Sequence, residues 1–192
     1  MFLIMIIVSA SLLRVWDLGS IGFNGDEAVY SGQSATLSGN EESAKYFSIY
    51  RAHPLFLQFI VSIFFANFGV SDIIARVAPA IFGILTVIFV YFIGKELYDK
   101  KVAMVAAIVM TIIPYHIIVS RQVLLDVPLS FFATLTLFFV IRYLRRERDV
   151  YLLYFIGAAS GLSFLSKEVG IFVLIASIVS LILVKKLSLK KL

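Results

Sequence analysis

The chain has 192 residues, 61% of them hydrophobic, and a mean hydropathy of +1.00. A soluble domain is about 45–50% apolar, so the composition marks a helical membrane protein whose backbone polar groups are satisfied inside helices. Cysteine is absent, which excludes disulfides and thiolate metal sites, and membrane topology explains the net charge of +5 without nucleic acid as a partner.

The first apolar run, 2–13, has no Lys or Arg before it and no A-x-A site after it. An uncleaved span is therefore expected rather than a signal peptide. The stretch "FNGDEAVYSG" (23–32) follows. Asn24 is a good N-cap, and Glu27 three positions later completes a capping-box pattern for a helix from Gly25 to about Ser38, ending at Gly39-Asn40. Glu27 thus has a structural task available. Asp26 sits in the first turn, where the helix dipole keeps it ionised, as a general base for a hydroxyl or amine acceptor requires. The alternative is that it merely stabilises the helix. Tyr30 lies four residues on over the same face and joins the candidate substrate-binding residues. After His53-Pro54 comes an apolar stretch, 54–68, too short for an easy span.

Five longer apolar runs at 73–94, 102–119, 127–141, 150–165 and 169–184 complete the chain, the last two separated by "SKE" at 166–168. Lys95, Lys100 and Lys101, then Arg142, Arg145, Arg146 and Arg148, then Lys185, Lys186, Lys190 and Lys191 form three basic segments, which the positive-inside rule places in the cytoplasm. Two crossings separate each neighbouring pair of segments. This parity places the linkers 120–126 and 166–168 outside and leaves 54–68 as a helix at the outer interface. The rival is a true span at 54–68 with an inverted N-terminus. The expected architecture is all-α: one membrane domain over 1–192, about six spans, N-terminus cytoplasmic. Its large first external loop, about 17–72, carries interfacial helices.

The two linkers hold the remaining candidates. Asp126 precedes Val127-Pro128 as a plausible N-cap, and Arg121 either snorkels outward or meets a phosphate. His53 and His116 are too far apart in sequence to suggest a zinc pair. Lys167 and Glu168 break an apolar stretch, Lys167 as a candidate ligand group and Glu168 as a residue that solvates the turn. A lipid phosphate and a polar acceptor would meet on the external face.

The segments "GDEAVYSGQSA", "HPLF", "FGVSDIIARVAPAIFGILTVIFVYFIGKELYDKKVAMVAAI", "RQVLLDVPLSFFATLTLFF" and "GLSFLSKEVG" resemble, in order, the N-terminal half of protein O-mannosyltransferases and aminoarabinose-transferase-like enzymes. These are membrane glycosyltransferases of the GT-C class. The resemblance implies transfer of a sugar from a polyprenyl or dolichyl monophosphate to a protein, lipid or glycan acceptor on the extracytoplasmic side of the cell membrane. It implies Asp26 as catalytic base, Glu27 as its supporting catalytic neighbour, and Tyr30, His53, Arg121, Asp126 and Lys167 as substrate-binding residues. Arg121 and Lys167 would meet the lipid phosphate. Two versions stand at Asp126, with and without a divalent metal shared with Asp26. Leu55 replaces a second proline found after His-Pro in many relatives, and family members run longer. A missing C-terminal half or partner subunit is therefore an open alternative, with the chain as an incomplete enzyme acting as membrane scaffold. A small transporter is a further alternative, disfavoured because the charges sit at the ends of the runs.

Overall fold

A computed structural model describes residues 2–49, 53–145 and 149–189. Arg146, Arg148, Lys190 and Lys191, which carry part of the charge argument, lie outside the described residues, as do the side chains of Lys185 and Lys186. All regular structure among the described residues is helical. In chain order the helices are α1 (Phe2–Val15), α2 (Gly25–Leu37), α3 (Glu41–Ala44), α4 (Phe56–Phe68), α5 (Asp72–Leu97), α6 (Lys100–Ile112), α7 (Pro114–Ser120), α8 (Asp126–Arg145), α9 (Tyr151–Ser166) and α10 (Ile171–Leu189), with a 3-10 turn at Glu168–Gly170 before the last.

Local chemistry sets the starts. Asn24 Oδ1 accepts from the Glu27 N–H at 3.0 Å, and Glu27 Oε2 accepts in return from the Asn24 N–H at 3.3 Å, so the capping box is formed. Ser71 caps α5 through the Ile74 N–H, and Asp99 caps α6 through the N–H groups of Lys101 and Val102. Gly39, at φ 92°, occupies the left-handed region just past the end of α2.

Two helices, α5 with 26 residues and α8 with 20, are long and apolar enough to cross a membrane. The run 102–119 is not one straight helix: Pro114 splits it, and α6 and α7 meet at 61°, making a third span only if the bent pair counts as one. The helices α1 and α9, and the stretch from Glu168 to Leu183, are shorter apolar helices. The interior is built around α5. An aromatic ladder including Phe82, Phe89, Phe131 and Phe138 locks α5 to α8, while Ile6, Ala10, Val87, Tyr91, Ala103 and Ala107 join α1, α5 and α6.

The stretch 54–68 contains the short apolar helix α4. Leu57, Gln58, Val61, Ser62 and Phe65 are buried, whereas Phe59, Ile63 and Phe68 are exposed. Gln58 and Ser62 turn inward beside Leu57, Val61 and Phe65, while large apolar side chains are left on the outer side, unlike a helix on a water-facing surface. Gln58 Nε2 donates to Gln33 Oε1 at 3.1 Å and Gln33 Nε2 to the Ser48 carbonyl at 2.9 Å, fastening α4 to α2 and the loop after it. A buried cluster beneath them includes Ala35, Leu57, Val61, Ala75, Val123 and Leu125, so the first loop and the segment before α8 share one core with α5.

Candidate functional site

The adjacent carboxylates of α2 have opposite fates, because neighbouring helix positions are about 100° apart. Asp26 is exposed, while Glu27 is 1% exposed and faces α5. Glu27 Oε1 accepts from Arg76 Nε at 2.9 Å and from the Val123 N–H at 3.1 Å; Oε2 accepts from Arg76 Nη2 at 3.1 Å and from the Asn24 N–H at 3.3 Å. Four donors fill the four lone-pair sites of the carboxylate. Arg76 is equally committed. Nη1 donates to the carbonyls of Leu18 and Ile21, Nη2 also donates to that of Gly22, and the guanidinium lies 4.9 Å from the Phe23 ring centroid. All five guanidinium donors are therefore used. Glu27 does cap its helix, but its larger task is to join α2, α5 and the segment before α8. Arg76 was missed by the sequence reading, although a single arginine inside the apolar run 73–94 is the signal that marks such a residue.

The exposed side of α2 faces the other candidates. The Tyr30 ring meets the His53 ring edge-on, centroids 6.5 Å apart at 84°. His53 Nδ1 lies 2.8 Å from Glu168 Oε1. The next residue back, Lys167, donates from Nζ to Asp126 Oδ1 at 2.8 Å. Burial, with the field of Asp26 next and those of Asp126 and Glu168 behind it, raises the Tyr30 pKa against an opposing pull from Lys167. The hydrogen bond to Asp126 is the main reason the Lys167 pKa is raised, and a bond to its own backbone N–H, followed by His53, lowers that of Glu168. Tyr30, His53, Asp126 and Lys167 thus come together from segments far apart in the chain, and Asp26, one helical turn before Tyr30 on α2, reaches the group through its field on that ring. Glu168, expected only to solvate its turn, is part of the cluster through His53.

Asp126 opens α8, and its carboxylate is bonded to Lys167 rather than left to the capping task expected of it. On its other side it borders a cleft of about 290 Å³ lined by Tyr115, His116, Val119, Ser120, Leu129 and Ser130 among others. The turn carrying Lys167 is tight: a Cβ on Gly170 would lie 2.3 Å from the Ser163 carbonyl carbon and oxygen.

Arg121 is not brought to Lys167. Its Nη1 and Nη2 donate to the carbonyls of Leu13 and Asp17, each at 3.1 Å, and it borders a separate cleft of about 170 Å³ beside Asn24, Glu27, Arg76 and Gln122. It neither snorkels freely nor joins the cluster around Tyr30. The divalent metal left open near Asp26 and Asp126 finds no cage: among the described residues no three His, Asp or Glu side chains are placed to share an ion.

No solved structure matches the chain. It is 28% identical over 127 residues to an uncharacterized protein of Aquifex aeolicus (strain VF5), a match covering 66% of this chain and 25% of that protein. The chain thus spans about a quarter of the length of that relative. Residues 52–192 match the dolichyl-phosphate-mannose-protein mannosyltransferase family, and the chain belongs to it.

Proposed function

We propose that this member of the dolichyl-phosphate-mannose-protein mannosyltransferase family transfers a sugar from a polyprenyl or dolichyl monophosphate to a hydroxyl or amine acceptor, at the extracytoplasmic surface of the membrane. The observation that carries the reading is the cluster around Tyr30: the ring meets His53 and feels the fields of both Lys167 and Asp26, the latter an exposed carboxylate one helical turn earlier on α2.

The chemistry is a single inverting displacement. Asp26 takes the acceptor's proton as its oxygen or nitrogen bonds to the anomeric carbon. The bond from that carbon to the phosphate oxygen breaks, and the lipid phosphate leaves with the electron pair. Lys167 has three N–H donors and spends one on Asp126, so two are free to stabilise charge on the departing phosphate. Tyr30 and His53 border the sugar, and the cleft beside Asp126 accommodates apolar chain. Glu27 acts through position only, because its lone pairs are full.

The topology belongs to the same proposal. The helix α8 has Asp126 at its start and Arg142 and Arg145 in its last turn. Its 20 residues span about 30 Å, the thickness of a bilayer core. Arg145 Nη2 donates to the Leu97 carbonyl at 2.9 Å, which gathers the basic ends of α5 and α8 away from the cluster. Six crossings with a cytoplasmic N-terminus put the basic end inside and Asp26 outside.

The test is Asp26→Asn, assayed with a radiolabelled polyprenyl-phosphate sugar. Transfer should fall by about 10²–10⁴-fold with donor binding retained. Turnover close to that of the unmodified protein would remove Asp26 from the mechanism.

A further inference from the structure

Arg14, in the last turn of α1, is fully buried, and its guanidinium reaches the break between α6 and α7. Nη2 donates to the Met110 carbonyl at 3.2 Å and lies 2.8 Å from Nδ1 of His116; Nη1 donates to the Thr111 carbonyl at 3.4 Å and to the Ala10 carbonyl of its own helix at 3.2 Å. Pro114 explains these acceptors. A proline has no N–H, so the carbonyl four residues before it, that of Met110, loses its helical donor. The last turn of α6, which ends at Ile112, leaves further carbonyls without partners. Arg14 supplies donors to two of them and places its charge at the negative end of the helix dipole.

A second arginine ties the far end of the bent pair back to α1. Arg121, at the end of α7, donates to the carbonyls of Leu13 and Asp17 at the end of α1. The end of α6 therefore receives an arginine from α1, and the end of α1 receives one from the end of α7. Beyond Arg121 the chain passes directly to Val123, whose N–H bonds Glu27, and to Asp126, which bonds Lys167. The guanidinium is always protonated and can only donate, so His116 Nδ1 accepts and its ring proton sits on Nε2.

We propose that Arg14 is a positioning residue: by satisfying the acceptors that Pro114 releases, it holds the α6–α7 break and so sets segment 121–126 against Glu27. The activity part of this inference rests on the proposed function; the conformational part does not.

Two measurements on the purified chain in lipid nanodiscs need no turnover. The sequence has no cysteine, so spin labels at Val105→Cys and Ile118→Cys, both exposed and flanking the break, report its angle without background. A narrow distance distribution is expected; Arg14→Met should broaden or shift it, and Arg14→Lys should restore part of it. The same distribution in Arg14→Met overturns the inference. The second measurement is a double-mutant cycle on thermal unfolding. Pro114→Ala returns an N–H to position 114, so the Tm loss from Arg14→Met should shrink to about half or less in that background. Additive losses, or an Arg14→Met chain that fails to fold in both backgrounds, overturn the link to Pro114. In sugar transfer, kcat should fall by about tenfold or more in Arg14→Met and recover partly in Arg14→Lys. An unchanged kcat again overturns it. If the unmodified chain transfers no sugar from a polyprenyl phosphate, that counts against the proposed function, and the distance and coupling measurements decide this inference alone.

Discussion

Replacing Arg76 with methionine tests how much of the fold hangs on one carboxylate. Arg76 is 3% exposed and Glu27 1% exposed, and the two share a bidentate contact at 2.9 and 3.1 Å. Methionine fills similar space but removes both charged donors to Glu27 and leaves the carbonyls of Leu18, Ile21 and Gly22 without a partner. Glu27 keeps only the N–H groups of Asn24 and Val123. Breaking a buried pair from one side costs about 3–5 kcal/mol, because the remaining charge is left uncompensated. For a chain of this size each kcal/mol moves Tm by about 2–4 °C, so a fall of roughly 6–20 °C is expected. Thermal unfolding in detergent, followed by loss of the monodisperse peak on size exclusion, measures it. Glu27→Leu combined with Arg76→Met should cost less than Arg76→Met alone, since no orphan charge remains. A Tm within about 2 °C of the unmodified protein for Arg76→Met would refute the reasoning, as the pair would then be contributing under 1 kcal/mol.

Gly170→Ala would drive a methyl group into the Ser163 backbone and should destabilise by about 1–3 kcal/mol, read as a lower Tm, with Gly157→Ala, where a Cβ meets nothing within 4 Å, as the silent control. The raised pKa values of Tyr30 and Lys167 mean that the folded state holds both protons more tightly. Their stabilisation is therefore complete below the unfolded values, near pH 10, and is lost as pH rises through the folded ones; Asp126→Asn should flatten that alkaline loss in a Tm-versus-pH series. Glu168, lowered by its own backbone N–H and then by His53, titrates in the opposite sense. In His53→Ala its carboxyl resonance should titrate closer to the ordinary glutamate value, and an unmoved midpoint would show that His53 does not bear on it.

The parts of this structure legible in the sequence are those whose physics is local. Asn24 and Glu27 are three residues apart, so the capping box and the length of α2 could be read directly. The apolar stretch 54–68, bounded by His53-Pro54 and Gly69, likewise framed α4. The break at Pro114 was equally local, since a proline cannot donate within a helix, but the hydropathy of 102–119 hid it behind a continuous apolar run. Arg76 and Arg14 were hidden for a different reason. Their partners are 49 and 96 to 102 residues away, and only the folded chain shows that an arginine among apolar neighbours is paired. Arg121 misled in the opposite direction. A cation beside Asp126 in sequence suggests a common ligand, yet its two terminal nitrogens each donate to a carbonyl at the end of α1.

The pair Asp26-Glu27 keeps one carboxylate exposed by burying the other. In the proposed reaction Asp26 is the base, and a base that must receive a proton from a mobile acceptor cannot be saturated with donors, because each bond to the charged form lowers its basicity. It must nonetheless be held in place, and a residue in the first turn of a short helix frays easily unless the helix start is anchored. Glu27 provides that anchor from the adjacent position, taking the Asn24 N–H, Arg76 and the Val123 N–H together. Asp26 precedes Glu27 by one residue, and Asp126 follows Val123 by three. Both acidic groups of the cluster are therefore referenced to the same buried carboxylate. Glu27→Gln, nearly equal in volume, should relax the spacing between Asp26 and Asp126. If it left both Tm and the distance between labels at those two positions unchanged, Glu27 would be only a helix cap.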